Sequence, residues 1–161
     1  LMNGVSKISV CDEIALVSFQ RIPSDIATLA SIFTRLANAK VNLDMISQTA
    51  PQGHLIGLSF TLRSEQLVEV LELINQFRET HPDIKPMVSN GNCKIQLYGE
   101  EMREMYGVAA SAIEAISEID AELTLISTGE VEISLLVPKS SCDAAVKALE
   151  EKFSVKPEYG I

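Results

Sequence analysis

Apolar residues recur along the chain at two different spacings, and these predict alternating strands and helices. The segment EIALVSF, from Glu13 to Phe19, is rich in β-formers with apolar residues at alternate positions, which predicts a strand. Pro23 and two candidate caps follow, and Ile26, Leu29, Phe33 and Leu36 then predict an amphipathic helix to about Ala39. Further strands are predicted over 41–48 and 55–62, joined as a hairpin, before a helix marked by Leu67, Val70, Leu71, Ile74 and Phe77.

This pattern occurs twice. ASIFTRLANAKVNLDMIS, from Ala30, aligns without a gap to ASAIEAISEIDAELTLIS, from Ala110. The first copy then has about five more loop residues around 51–54, after which Ser59 matches Ser134. A period near 80 residues indicates two copies of one supersecondary unit. The second copy predicts strands over 94–98, 122–128 and 131–137 and helices over 108–119 and 141–153.

Each copy also has a strand in front of it. Residues 5–10 precede the first copy across Cys11-Asp12, and 84–88 precede the second across Asn90-Gly91, a strong hairpin-turn signal. Strand 84–88 can complete the first sheet. The second could be completed by the tail or by strand 5–10, and we favour strand 5–10 because the tail contains Pro157 and Gly160.

These elements predict an α+β fold of two ferredoxin-like βαββαβ units, residues 13–88 and 93–161. Each unit would have a four-stranded antiparallel sheet with two helices on one face. Strand 5–10 would complete the sheet of the second unit, so that the two units are linked by strand exchange. This plan hosts many unrelated functions, so the function must be argued from particular residues.

Composition narrows the function mainly by exclusion. The net charge is −9 and the basic residues are scattered, which argues against a nucleic-acid partner. No apolar run is long enough to predict a membrane span, and no secretory signal opens the sequence. Leu1 precedes Met2, which suggests either a residue added in cloning or a domain cut from a longer chain.

The cysteines and histidines predict neither a metal site nor a disulfide framework. The three cysteines are widely spaced, without a CxxC pair, and are interpreted as small buried hydrophobes of a reduced, cytoplasmic chain. His54 and His81 have no second ligand at metal-binding spacing and are predicted to lie in surface loops. We therefore expect no metal and no cofactor.

The second copy, KIQLYGEEMREMYGVAASAIEAI followed by ELTLISTGEVEISLLVPKSSCDAAVKALEEKF, resembles the second ACT domain in the regulatory region of aspartokinases. The first copy, with Pro23 before its helix and VNLDMISQ after it, resembles the first ACT domain. The similarity covers about 5–153. It implies amino-acid sensing without catalysis, since the Lys-Phe-Gly-Gly type phosphate motif of the kinase domain is absent. The chain would be either an excised regulatory half or a stand-alone tandem-ACT protein.

The turn before the first predicted helix is a candidate site for an effector carboxylate. Free N–H groups and the helix dipole favour an anion at a helix N-terminus. The candidate residues are Ile22, Pro23, Ser24, Asp25 and Ile26. Equally, Ser24 or Asp25 could simply cap the helix.

The following strand would bind the rest of the effector. Asn42, Asp44, Ile46 and Gln48 share one face by alternation, with Asp44 suited to an ammonium group and Gln48 to reading the ligand. We include Met45, in the same segment, among the effector-binding candidates. The alternative for Asp44 is a solvated residue or an interface ion pair.

In the second copy, Ser127, Thr128 and Glu130 fall where the family has Ser-Thr-x-Glu, a segment that contributes to effector sites or kinase contacts. A simple tight turn is the alternative. Two departures bear on both sites: Arg21 stands where the family has an acid, which weakens the case for lysine, and Tyr106 replaces a proline, which could leave the second site altered or empty.

The resemblance thus predicts an allosteric effector-sensing module of aspartate-family amino-acid biosynthesis. Lysine and threonine are the family's common effectors, with methionine a third. We expect a homodimer through the ACT units and a kinase catalytic domain as a candidate partner. The alternatives are a ligand-free dimerisation scaffold, an enzyme, for which two loop histidines are weak support, and an RNA-binding sheet, which the charge and sparse aromatics oppose.

Overall fold

A computed structural model describes residues 3–160, which form two compact units. One unit is Ile14–Asn90, and the other combines residues 3–13 with residues 91–160. The strands are β1 Lys7–Pro23, β2 Ile46–Gln48, β3 Leu55–Arg63, β4 Pro86–Tyr98, β5 Leu125–Thr128, β6 Glu132–Val137 and β7 Pro157–Tyr159. The helices are α1 Ile26–Asn38, α2 Leu67–Arg78, α3 Val108–Glu118 and α4 Cys142–Phe153, with short 3₁₀ turns at Ser64–Gln66, Glu100–Glu104 and Lys139–Ser141.

In the unit Ile14–Asn90, β3 lies between β1 and β2 and is antiparallel to both. Phe60 pairs with Val17 on one side and with Ile46 on the other. The apolar stripes of α1 and α2 pack on this face of the sheet, with Leu36 and Phe77 in the same core cluster as Phe60. Ser18 of β1 and Ser59 of β3 pair with each other and alternate with the core residues of these two strands.

The second unit has the same antiparallel arrangement around β6, which pairs with β4 and β5. Its core joins the sheet residues Ile95 and Leu135 to Ala112 of α3 and Leu149 of α4. Both units therefore combine helices with antiparallel strands, as the apolar periodicity predicts. Among residues 3–160 no helix is long and apolar enough to cross a membrane.

The predicted strand 5–10 is not separated from the strand that begins at Glu13, because β1 runs without a break from Lys7 to Pro23. Ile8 and Val10 enter one core cluster, whereas Val17 and Phe19 enter the other. Buried residues thus change from even to odd positions, which requires one irregular residue. Glu13, with φ of 55°, lies at this change of phase.

The hairpin predicted at Asn90-Gly91 is wrong, since both residues lie inside the single strand β4. Gly91 does adopt a left-handed conformation, with φ of 71°, so the dipeptide supplies the backbone freedom that suggested a turn. A single left-handed residue produces an irregularity within a strand. A two-residue hairpin of type I′ needs two.

The chain's tail forms a strand that the sequence argument set aside. β7 pairs in parallel with β1, with Ile8 opposite Pro157 and Val10 opposite Tyr159. Pro157 stands at the first residue of β7, a position in which proline is tolerated. The proline therefore does not prevent pairing.

Cys93 and Cys142 form a disulfide with their Cα atoms 5.8 Å apart, contrary to the prediction of three reduced thiols. Cys93 lies on β4 in the buried core cluster, and Cys142, which begins α4, is half-buried and packs against that cluster. They are 49 residues apart in sequence, and only the packing of α4 against the sheet brings them together. Cys11 is free and half-buried.

Candidate functional site

The turn before α1 is fixed by its own hydrogen bonds. Ile22 is fully buried, and Pro23 ends β1 opposite Leu55. The Ser24 N–H donates to the His54 carbonyl at 2.9 Å. The Ser24 N–H has no intrahelical partner, as the sequence predicts, but it already has a backbone acceptor in the β2–β3 connection.

Asp25 is the N-cap of α1. Its carboxylate accepts hydrogen bonds from the Thr28 N–H at 3.0 Å and the Thr28 hydroxyl at 2.8 Å. The hydroxyl bond is the main reason that the pKa of the Asp25 carboxyl is lowered, followed by the backbone bond. The capping alternative is the arrangement found, and it places a negative charge at the end of the helix where an effector carboxylate was expected.

Ile26 begins α1 and its side chain is exposed. By helix geometry the first N–H groups of α1 have no intrahelical acceptor. This end of α1 thus combines helical donors with the Asp25 carboxylate and the exposed apolar Ile26 side chain.

The segment before β2 is not a strand, which corrects the predicted strand 41–48. Asn42 and Asp44 precede β2, so they share no strand face with Gln48. Met45 is buried, and its N–H donates to the Thr61 hydroxyl at 2.8 Å. Thr61 also bonds through its backbone to Asp44 and Met45, so one fully buried threonine fixes this segment.

Gln48 is exposed at the end of β2, opposite Leu58 of β3. Pro23 pairs with Leu55 on the other side of β3. The two predicted halves of the first site therefore flank β3 on opposite sides.

Two open grooves lie beside these residues in the same unit, and the sequence indicated neither. One, of about 480 Å³, runs over the face of the sheet opposite the helices and includes Ser18, Ser47 and Ser59. The Ser18 and Ser59 hydroxyls are 2.9 Å apart and hydrogen-bonded. The other, which we name the Arg21 groove, has about 550 Å³ and is lined by Gln20, Arg21, Thr49, Ala50, Gln52, Leu55, Ile56 and Gly57.

The candidates of the second copy lie in the other unit. Ser127 and Thr128 are exposed on β5, opposite Ser134 and Ile133. Glu130 follows in the turn to β6, and its carboxylate pairs with the Arg103 guanidinium at 2.6 Å. The turn is therefore tied to the 3₁₀ segment before α3.

Arg103 also contacts Glu100 at 3.3 Å, and Glu100 accepts a hydrogen bond from the Tyr98 hydroxyl at 2.6 Å. The bond from Tyr98 and then that from Arg103 lower the pKa of Glu100, while the same Tyr98–Glu100 bond raises the pKa of Tyr98. Sequence reasoning missed this network. The closely spaced acidic and basic residues of EEMRE could have indicated the Arg103–Glu100 pair. They could not indicate Glu130, which is distant in sequence.

The end of α3 differs from that of α1. Its N-cap is Gly107, in the left-handed conformation with φ of 82° and without a side-chain cap. Tyr106, which replaces the family's proline, is fully exposed. Within the described part of the chain no carboxylate caps this end, in contrast with Asp25 on α1. Among residues 3–160 no cluster of histidine, cysteine or acidic side chains could hold a metal ion.

Comparison with known proteins finds similarity to ACT domains and to aspartokinases. A family model described as an ACT domain matches residues 95–153. The aspartokinase of Geobacillus stearothermophilus is 29% identical over 154 residues, which cover 96% of this chain and 37% of that protein. The chain spans about a third of the length of the curated relatives it matches.

Solved structures show the same fold. The ligand-free regulatory subunit of aspartate kinase from Thermus thermophilus superposes with a TM-score of 0.83 at 24% identity, covering 93% of this chain and 99% of that one. Aspartokinase III of E. coli, in complex with lysine and aspartate, superposes with a TM-score of 0.67 at 16% identity, covering 92% of this chain and 33% of that one.

Proposed function

We propose that this chain, an ACT regulatory region of aspartokinase type, binds a small amino-acid effector and transmits its presence to a kinase catalytic domain. The observation that carries the proposal is the 29% identity to an aspartokinase along 96% of the chain. The ACT match over residues 95–153 supports it. On this proposal both units are ACT modules, with boundaries near 13–88 and 93–161, and the leading strand is exchanged between them.

The first effector site would lie around the start of α1 and β2. The first N–H groups of α1 would receive the carboxylate, beside Ile22, Pro23, Ser24 and the Asp25 cap. The ammonium and side chain would be bound by the segment Asn42, Asp44, Met45 and Gln48. Because the Ser24 N–H and the Thr28 N–H already have acceptors in the chain, the site offers fewer donors than its sequence suggested.

A second effector site, at Ser127, Thr128 and Glu130, would require Glu130 to exchange Arg103 for the ligand's ammonium group. The pair is exposed, so the exchange is not costly. The uncapped end of α3 would take the carboxylate.

Lysine and threonine are the first effectors to test, with methionine third. The lysine complex of the E. coli structural neighbour supports including lysine, while the Arg21 cation argues against a basic side chain at the first site. Assembly would be a cytoplasmic homodimer through the ACT units, because homodimers commonly pair the same surface patch of both subunits.

Isothermal titration calorimetry tests the proposal. Lysine, threonine and methionine are titrated singly and in pairs into the wild type, Asp44→Ala and Gln48→Ala. Asp83→Ala is the matched control, since it removes an exposed carboxylate from the same unit. We expect saturable heat with one amino acid, lost in the first two variants and kept in the control.

The second candidate function is a ligand-free dimerisation scaffold, and the Asp25 cap favours it because it occupies the expected anion position. Absence of heat from a folded dimer would contradict the sensing proposal and favour the scaffold. Analytical ultracentrifugation gives the oligomeric state on the same samples.

A further inference from the structure

The Arg21 groove lies where β1 ends and the β2–β3 connection turns back, entirely within the unit Ile14–Asn90. Its size, about 550 Å³, is in the range of small-molecule sites. Ile56 is buried beneath it, and the other side chains that line it are exposed or half-buried. None of the effector-binding residues expected from the sequence lines it.

Four polar side chains line this groove, those of Gln20, Arg21, Thr49 and Gln52. Arg21 makes no ion pair with any of residues 3–160, and the Gln20 and Gln52 amides make no side-chain hydrogen bond within that range. The Thr49 hydroxyl oxygen accepts the Gly57 N–H at 2.8 Å, which leaves its hydrogen to be donated. The groove therefore presents one guanidinium, two amides and one hydroxyl as donors.

The groove's charge is positive although the chain carries −9. No aspartate or glutamate lines it, so the guanidinium has no competing carboxylate there. Exposed acidic residues farther than about 8–10 Å from the guanidinium are largely screened from it at physiological salt. Asp25, four residues along the chain, is already bound to Thr28.

Gly57 keeps the groove open. A Cβ built on Gly57 would meet the Thr49 methyl group at 3.2 Å and the Gln20 carbonyl at 3.6 Å. A larger residue would therefore press on Thr49 and fill space between the polar side chains.

We propose that the Arg21 groove binds a small carboxylate ligand, with the Arg21 guanidinium as its anchor. Arginine presents a planar fork of N–H donors that matches a carboxylate, and such charge-assisted bonds are about twice as strong as neutral ones. Gln20, Gln52 and Thr49 donate to the remaining oxygens. The groove's chemistry indicates a small carboxylate. That this carboxylate belongs to an amino acid rests on the proposed function.

The probes are succinate and L-glutamate, with uncharged succinamide as the neutral comparison, titrated by calorimetry and by chemical-shift changes in the ¹⁵N-labelled chain. The variants are Arg21→Ala and Arg21→Lys. Lys85→Ala is the matched control, because it removes one exposed positive charge of the same unit outside the groove. Circular dichroism checks that each variant is folded.

We expect the wild type to bind a carboxylate probe but not succinamide, with shifts at Thr49, Gln52 and Gly57. Arg21→Ala should lower the affinity for the carboxylate probe about tenfold or more, and Arg21→Lys should lower it less. Lys85→Ala should leave the affinity unchanged. Equal binding by the wild type and Arg21→Ala, or no binding of either carboxylate by the wild type, overturns the proposal.

The outcome separates this inference from the effector proposal. Amino-acid binding that is indifferent to Arg21 leaves effector sensing in place and removes the groove. Succinate binding that depends on Arg21, without binding of any amino acid, keeps the groove and removes amino-acid sensing.

Discussion

Thr61 provides the sharpest test of how the segment before β2 is held. Its side chain is fully buried, and its hydroxyl accepts the Met45 N–H at 2.8 Å. Thr61→Val keeps the size and β-branching of the side chain but removes this acceptor. A buried N–H that loses its partner costs about 1–3 kcal/mol, so the variant should lose that much stability.

The matched control is Thr49→Val. The Thr49 hydroxyl accepts the Gly57 N–H at the same distance, 2.8 Å, but Thr49 is exposed. Water replaces the lost acceptor there, so the change in the free energy of unfolding should stay within about 0.5 kcal/mol.

Two measurements check this comparison. Urea unfolding followed by circular dichroism gives the global change, and amide hydrogen exchange at Met45 gives the local one. In Thr61→Val the Met45 amide should exchange roughly 5- to 150-fold faster, the equivalent of 1–3 kcal/mol. Equal effects of Thr61→Val and Thr49→Val would refute the argument, because burial would then not determine the cost.

Three further predictions follow from the geometry. Gly99→Ala should cost at least about 2 kcal/mol in urea unfolding, since the added Cβ would overlap a backbone oxygen, whereas Gly129→Ala, with more room, should cost less. The pKa of the Asp25 carboxyl is lowered in the folded state, so its charge stabilises the fold above its unfolded pKa, and this stabilisation is lost as pH falls through the folded pKa. Between pH 6 and about 3 the urea midpoint of Asp25→Asn should therefore drop less than that of the wild type. Tyr98 should ionise at higher pH than an ordinary tyrosine in an absorbance titration, and Glu100→Gln should lower its pKa; an unchanged titration would exclude the Tyr98–Glu100 bond.

Several features of the fold were predictable from local pattern. Helices α1 and α4 begin and end within a few residues of their predicted limits, because their apolar stripes and flanking polar residues are local signals. The order of elements in both copies follows from the same periodicity. The first residues of β2 and β5 were less predictable, because the strand-like pattern starts in the sequence before the residues that pair.

The candidate site was predictable only in part. Pattern located the turn before α1 and the segment around Met45, but not the partners of their polar groups. The Ser24 N–H bonds to His54, 30 residues along the chain, and Glu130 bonds to Arg103. Arg21 stood out in the sequence only as a reversed charge, without any indication that it lines a groove.

The sequence by itself determined what repeats and short-range periodicity encode: two related sets of strands and helices, the apolar residues that enter each core, and the resemblance to the ACT regulatory region of aspartokinases. Only the tertiary structure decided that β1 and β4 continue through their polar interruptions, that Cys93 meets Cys142, and which donors remain free around Arg21. The physical reason is that periodicity reports burial along one segment. Disulfides, ion pairs and grooves depend on where distant segments meet.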